Sequence, residues 1–233
     1  MVNVFVSTDT VFDSEHLSRR IAALGCGDQQ HESVSGGDGN AVKAFYRRAA
    51  AGLLGEKLAA ALEFCRRQKV APGFEALVQF CRERSLGLFC VGEGLDVCLQ
   101  EILAVNGLSD VRLFTNHLER SDEGSGRVSF PYDDAECTRC ACCARNLMLT
   151  LCADRDRIVF VGCSAGDVCA AAYADVVFAK GALQTGCQRA NVSYVLYETM
   201  YDVMERLETL LAGKRIRVRR EAAMMRRAAF IAE

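Results

Sequence analysis

The chain has 233 residues, with 28 Lys and Arg against 30 Asp and Glu and a formal net charge of −2. That length allows one domain with a sizeable core plus a subdomain, and the balanced charge excludes a globally basic nucleic-acid binder. No apolar run is long enough to span a bilayer, and the chain opens in a strand pattern rather than a signal peptide, so a cytoplasmic protein is expected.

Residues 2–6 (VNVFV) read as an apolar strand ending in a polar turn that carries Ser7 and Asp9. Residues 14–71 follow as an insert with helical periodicity in HLSRRIAALG and again in AVKAFYRRAAAGLLGEKLAAALEFCRR. A polar, Gly-rich loop from 27 to 40 separates these helices. Strands are then predicted at 87–91, 111–114, 158–161 and 176–178, with apolar-faced helices between them. The alternation predicts an α/β fold, a parallel sheet between helices with ligands at the carboxyl ends of the strands. Residues 118–130 predict a small hairpin turning at 122–126. From residue 213 a tail dense in Arg, KRIRVRREAAMMRRAAF, reads as a solvated or frayed helix, with docking to a partner protein as its functional alternative. RNA fits less well, because no aromatic residues are interleaved for stacking.

Three stretches carry chemistry. Residues 158–180, IVFVGCSAGDVCAAAYADVVFAK, form a buried strand, a tight turn at Gly162, a helix from near Asp167 and a second apolar run. An Asp at the start of an apolar helix accepts from unsatisfied backbone donors, so Asp167 reads first as a cap, and Asp9 suits a turn. Ser7 lacks a nearby His to serve as base, and Cys163 reads either as a small apolar filler or as a thiol facing a pocket. The third stretch, Cys137, Cys140, Cys142 and Cys143 in C-x-x-C-x-C-C spacing, suits Zn²⁺ or an iron–sulfur cluster. Adjacent Cys142 and Cys143 cannot easily face one ion from regular structure, so no metal is assigned. The 13 cysteines, an odd number, argue for reduced thiols rather than a disulfide framework.

These stretches resemble, in order, the four motifs of the haloacid dehalogenase (HAD) superfamily, over about residues 1 to 210. Gly162, Asp167, Ala170, Ala171, Asp175, Phe178, Ala179 and Lys180 match G-D-x-x-x-D-x-x-A-A followed by A-D-x-V-F-A-K, with Cys163 in place of the first Asp. Asp9 matches the second Asp of D-x-D-G-T, the general acid/base, while Ser7 stands at the nucleophile position and Thr10 and Val11 replace Gly-Thr. Val91, Gly94 and Asp96 are similar to V-S-G-G-x-D-F of the methionine-salvage branch, the phosphatases of methylthio-ketopentenyl phosphate. Gly92 there replaces the phosphate-binding Ser. Cys140, Cys142 and Cys143 match that branch's C-G-C-C-K-P, with Ala144 in place of the Lys. The segments 71–74, 114–116, 130–132 and 197–198 fit the same branch.

The resemblance implies a HAD-like core formed by 1–13 and 72–212, a helical cap formed by 14–71, and a separate basic tail at 213–233. It also implies that nucleophile, Ser donor, Lys and one Mg²⁺ ligand are absent, so no cofactor is expected. HAD phosphatases transfer phosphoryl to an Asp with charge neutralised by Mg²⁺, Lys and a hydroxyl, and a thiol is a poor ligand for a hard cation. The expectation is a non-catalytic ligand-binding or regulatory protein whose pocket is lined by Ser7, Gly92, Ala144 and Cys163 beside the residual Asp9 and Asp167. The small-molecule ligand is expected to be an anion first. An enzyme with metal-independent or Cys163-based chemistry is the alternative, and a structural subunit of a larger assembly a third.

Overall fold

The computed structural model describes residues 1–12, 39–120, 126–134, 137, 139–213 and 216–232, together with 17, 20, 21 and 24. Of the predicted loop at 27–40, residues 27–38 lie outside these and 39–40 are helical; of the predicted turn at 122–126, residues 122–125 lie outside and Gly126 opens a strand.

Seven strands form one sheet: β1 (Val2–Ser7), β2 (Gly87–Leu95), β3 (Arg112–Arg120), β4 (Gly126–Ser129), β5 (Arg157–Gly162), β6 (Val176–Ala179) and β7 (Val195–Leu196), in the order 4-3-2-1-5-6-7. All pairings are parallel except β3 with β4, the predicted hairpin. Val4, Phe5 and Val6 of β1 and Val159, Phe160 and Val161 of β5 are fully buried, as continuous apolar runs are in a parallel sheet covered on both faces. Phe5, Phe89 and Phe114 continue as ring contacts across β1, β2 and β3. Chain order reverses at β1, which pairs with β2 on one side and β5 on the other, so the carboxyl ends of these three strands open the crevice where such folds bind ligands.

The helices are α1 (Thr8–Val11), α2 (Gly39–Gly52), α3 (Gly55–Arg66), α4 (Phe74–Glu83), α5 (Asp96–Val105), α6 (Ala144–Leu151), α7 (Val168–Tyr173), α8 (Gly181–Arg189), α9 (Met200–Ala212) and α10 (Arg220–Ala232). Among the described residues, insert helices α2 and α3 pack on β4 and α5 respectively. Leu17, Ile21, Val42, Tyr46 and Ala61 of the insert share one apolar cluster with Val4, Val6 and Phe74, so the insert closes the same core as the sheet.

The basic tail is not a free end. Its helix α10 packs on α7, and Ala222 is fully buried. Arg219 Nη2 donates to the Ala171 carbonyl at 2.9 Å and Arg226 Nη1 to the Tyr173 carbonyl at 2.5 Å, satisfying the orphan carbonyls at the end of α7. Arg226 also pairs with the buried Asp175 carboxylate at 3.0 Å. Two tail arginines are therefore spent inside the chain, and Arg217, Arg220 and Arg227 remain on its surface. Among the described residues no helix is long and apolar enough to cross a membrane.

Candidate active site

The site is built where β1, β2 and β5 end. Ser7 pairs in register with Val91, and Val6 with Val161, so the turns after the three strands emerge side by side. Ser7 is 2 % exposed and begins the short helix α1, which carries Asp9 half-buried and Thr10 buried. After β5, Ser164 opens a single 3-10 turn (Ala165–Asp167) and forms a reciprocal capping box with Asp167. Asp167 Oδ2 accepts from the backbone N–H groups of Cys163 and Ser164, each at 2.9 Å. Asp167 thus has the capping role its sequence position suggests, and its helix begins one residue later than expected, at Val168. The Ser7 hydroxyl lies near enough to the Asp167 carboxylate, and Thr10 to the Cys163 thiol, to lower the pKa of each. Tyr197, buried behind them, donates to the Gly162 carbonyl at 3.1 Å.

The turn after Val91 breaks the β2–β3 register between Val91 and Leu95, and Gly92 and Gly94 adopt φ of +147° and +150°. Such an irregularity re-aims a side chain, and here it delivers Glu93 into the site. Thr8 Oγ1 donates to the Glu93 carbonyl at 3.0 Å and Ala141 N–H to Glu93 Oε1 at 3.2 Å. Burial, with the Asp9 and Asp167 charges, pushes Glu93 up to about 7 despite the Ala141 hydrogen bond. Burial and Asp9 push Asp167 up to about 6. Cys163 rises to about 11, mainly through burial and against the Thr10 hydrogen bond.

Ser7, Thr10, Cys163 and Asp167 therefore meet, and Gly92 lies against Thr8. Ala144 starts α6, partly buried against the second apolar cluster. The cysteine loop divides. Cys137, Cys140 and Cys143 bring their Sγ atoms within 4.8 Å of one another, whereas Cys142 Sγ faces the Phe114 carbonyl at 3.5 Å. A small apolar cavity of about 10 Å³ lies between insert and core, lined by Ile21, Tyr46, Gly94 and Leu99 among others, and none of Ser7, Gly92, Ala144 or Cys163 lines it.

Sequence reasoning missed Glu93. The signal was present, a charged residue between two glycines at the end of an apolar strand, but the motif comparison weighed the lost Ser beside it. The expectation of an anion-friendly pocket rests on carboxylates removed at positions 7 and 163, and Glu93 restores one of them.

The raised carboxyls predict a pH dependence. Both bind protons more tightly in the folded chain than at their ordinary values of 4.5 and 3.8, so the folded state holds more protons between about pH 4 and 7 and stability falls as pH rises through that window. Glu93→Gln is expected to remove about half of this slope and to stabilise the protein above about pH 7.5 by on the order of 2 kcal/mol. Urea unfolding of both proteins across the range checks it; parallel profiles would contradict it.

No family model matches the chain. It is 33% identical over 145 residues to the 2-hydroxy-3-keto-5-methylthiopentenyl-1-phosphate phosphatase of Exiguobacterium sibiricum, covering 61% of this chain and 65% of that protein. It is 31% identical over 153 residues to the enzyme of the same name from Geobacillus kaustophilus, covering 64% and 68%. The chain thus spans about two thirds of the length of these relatives. In fold it is similar to a phosphoserine phosphatase in apo form, with a TM-score of 0.62 at 16% identity over 88% of this chain and 98% of that one. With its crevice at the ends of β1, β2 and β5 and these relatives, the chain belongs to the haloacid dehalogenase superfamily, in its phosphoserine phosphatase-like branch.

Proposed function

We propose that this phosphatase-fold protein no longer transfers phosphoryl groups and binds a small polar ligand at the ends of β1, β2 and β5. One observation carries the reading: a third carboxyl, Glu93, half-buried and held by the Ala141 N–H, shares the crevice with Asp9 and Asp167 where a phosphoryl group would need positive charge. Ser7 offers no carboxylate, Gly92 offers no hydroxyl, Ala144 offers no cation, and Cys163 is held as a neutral thiol. Losing one member of such a unit already costs about 10⁴–10⁶ in rate.

The residues do not fit Mg²⁺. A hard cation needs convergent oxygen donors, and Cys163 is soft. Asp167 Oδ2 is taken by two backbone amides, and among the described residues Asp9, Glu93 and Asp167 do not gather as a group that could hold a metal ion. We therefore assign no cofactor to this crevice.

Support for a ligand comes from β3. Thr115 Oγ1 and both polar atoms of the Asn116 side chain are buried without partners among the described residues, and a Cβ on Gly94 would lie 3.3 Å from Thr115 Oγ1. Buried polar groups are satisfied by something, a ligand or water. Three carboxyls favour a neutral or cationic ligand over an anion. The thiol-based alternative is weakened by the high pKa of Cys163, because the thiolate is the nucleophile. On this reading residues 14–71 act as the cap, the exposed arginines of the tail are available to a partner, and the protein works in the cytoplasm.

The test joins two assays on pure protein. Turnover of small phosphomonoesters is expected to be absent with Mg²⁺, and a thermal-shift screen of polar metabolites is expected to find a stabilising ligand. Mg²⁺-dependent turnover would overturn the loss of phosphoryl transfer, and a screen that finds no stabilising ligand would overturn the binding role.

A further inference from the structure

Glu93 is held by the backbone of a loop that carries the cysteine cluster, and that loop has its own chemistry. Sequence spacing alone argues against a metal there, because Cys142 and Cys143 are adjacent. The fold removes the objection by turning Cys142 away to the Phe114 carbonyl while Cys137, Cys140 and Cys143 converge. We propose that Cys137, Cys140 and Cys143 form a structural Zn²⁺ site that staples this loop beside the crevice.

The geometry is close to what the ion needs. Zinc–sulfur bonds of about 2.3 Å in a tetrahedron place sulfurs about 3.8 Å apart. Cys137 and Cys140 Sγ are 3.5 Å apart, and all three sulfurs lie within 4.8 Å of one another. The loop is already shaped around them: Cys137 N–H donates to the Asp134 carbonyl at 2.9 Å and Cys143 N–H to the Tyr132 carbonyl at 2.7 Å. Cys143 is buried and stands at the amino end of the eight-residue helix α6, where partial positive charge favours a thiolate.

Two further features fit an anionic metal–thiolate centre. Arg145 pairs with Asp134 through its terminal nitrogen, yet its Nε is buried without a partner among the described residues. Zn²⁺ with three thiolates carries one net negative charge, and a buried guanidinium N–H beside Cys143 is the complement it lacks. Cys169 stands in the first turn of the facing helix α7, which packs on α6. The fourth position falls to Cys169 or to solvent. Soft, closely spaced sulfur donors select Zn²⁺ over Mg²⁺ or Ca²⁺.

Binding displaces the thiol protons to solvent, with no change of oxidation state at metal or sulfur. The consequence for the crevice is mechanical, since Ala141, whose N–H holds the Glu93 carboxyl, lies between two ligands of the staple. The inference does not depend on whether the crevice turns a substrate over.

The test is metal analysis of the full chain purified without chelators and then incubated with equimolar Zn²⁺ before gel filtration. Wild type and Cys142→Ser are expected to retain about one zinc per chain, and Cys140→Ser and Cys143→Ser less than about a fifth of that. Cobalt substitution of wild type gives a second reading that needs no variant, with thiolate-to-metal charge-transfer absorption and tetrahedral visible bands expected. Wild type that keeps no zinc and shows no cobalt–thiolate absorption overturns the proposal. So does a Cys137–Cys140 disulfide in protein kept under reductant.

Discussion

Asp175→Ala is expected to destabilise the protein by about 3–5 kcal/mol and to release the carboxy-terminal helix from the core. The Asp175 side chain is fully buried and its two oxygens serve three donors. Oδ2 accepts from Ile158 N–H at 2.9 Å, and Oδ1 from Arg219 N–H and the Arg226 guanidinium, both at 3.0 Å. One carboxylate therefore joins the start of β5, the start of β6 and the tail helix. Removing it leaves two backbone donors and a largely buried guanidinium without their carboxylate, the costly half of a buried ion pair. Urea unfolding, with limited proteolysis after Arg220 and Arg227, measures both effects. Arg227→Ala, on the exposed face, is the control and should stay within about 0.5 kcal/mol of wild type. A loss below about 1 kcal/mol in Asp175→Ala would mean that the tail packs by its apolar contacts alone.

Gly92→Ser, which would restore the hydroxyl the family keeps here, is expected to cost about 2–4 kcal/mol and to return no phosphatase activity. A Cβ at residue 92 would stand 2.3 Å from Thr8 Oγ1, and φ of +147° is a conformation that side-chain-bearing residues rarely adopt. The hydroxyl of Thr8 fills that space and holds the Glu93 carbonyl. Thr8→Ala should relieve the steric part and leave the backbone part, so the double variant should recover about half the loss, measured as a double-mutant cycle. Additive losses would show that the two positions do not compete for one space. This also makes a bulky residue at position 92 a poor probe of ligand binding, since it perturbs the fold first.

Much of this was legible in the sequence, for physical reasons that can be named. The strands at 87–91, 158–161 and 176–178 are apolar runs bounded by polar or glycine turns, and buried parallel strands have no competing reading. β3 extends beyond its predicted end at residue 114 to Arg120, because its second half pairs with β4 at the sheet edge and carries polar residues such as Asn116, His117 and Glu119. Asp167 was legible as a cap because the donors it satisfies are local. Glu93 was not, because its importance depends on an irregular turn that brings it beside Asp9 and Asp167, residues distant in sequence. The packing of the tail was not legible for the same reason: a dense Arg run reads as solvated, and only the fold brings the Arg219 N–H and the Arg226 guanidinium to Asp175, 44 residues before Arg219. The cysteines split by direction, which spacing does not encode.

The central claim is that this crevice lacks the charge arrangement phosphoryl transfer requires. Its most direct test is Mg²⁺-dependent release of phosphate from p-nitrophenyl phosphate and phosphoserine by pure wild-type protein, run beside Asp9→Asn. The account predicts release indistinguishable from buffer for both proteins, with and without Mg²⁺. Turnover by wild type that requires Mg²⁺ and disappears in Asp9→Asn would contradict it.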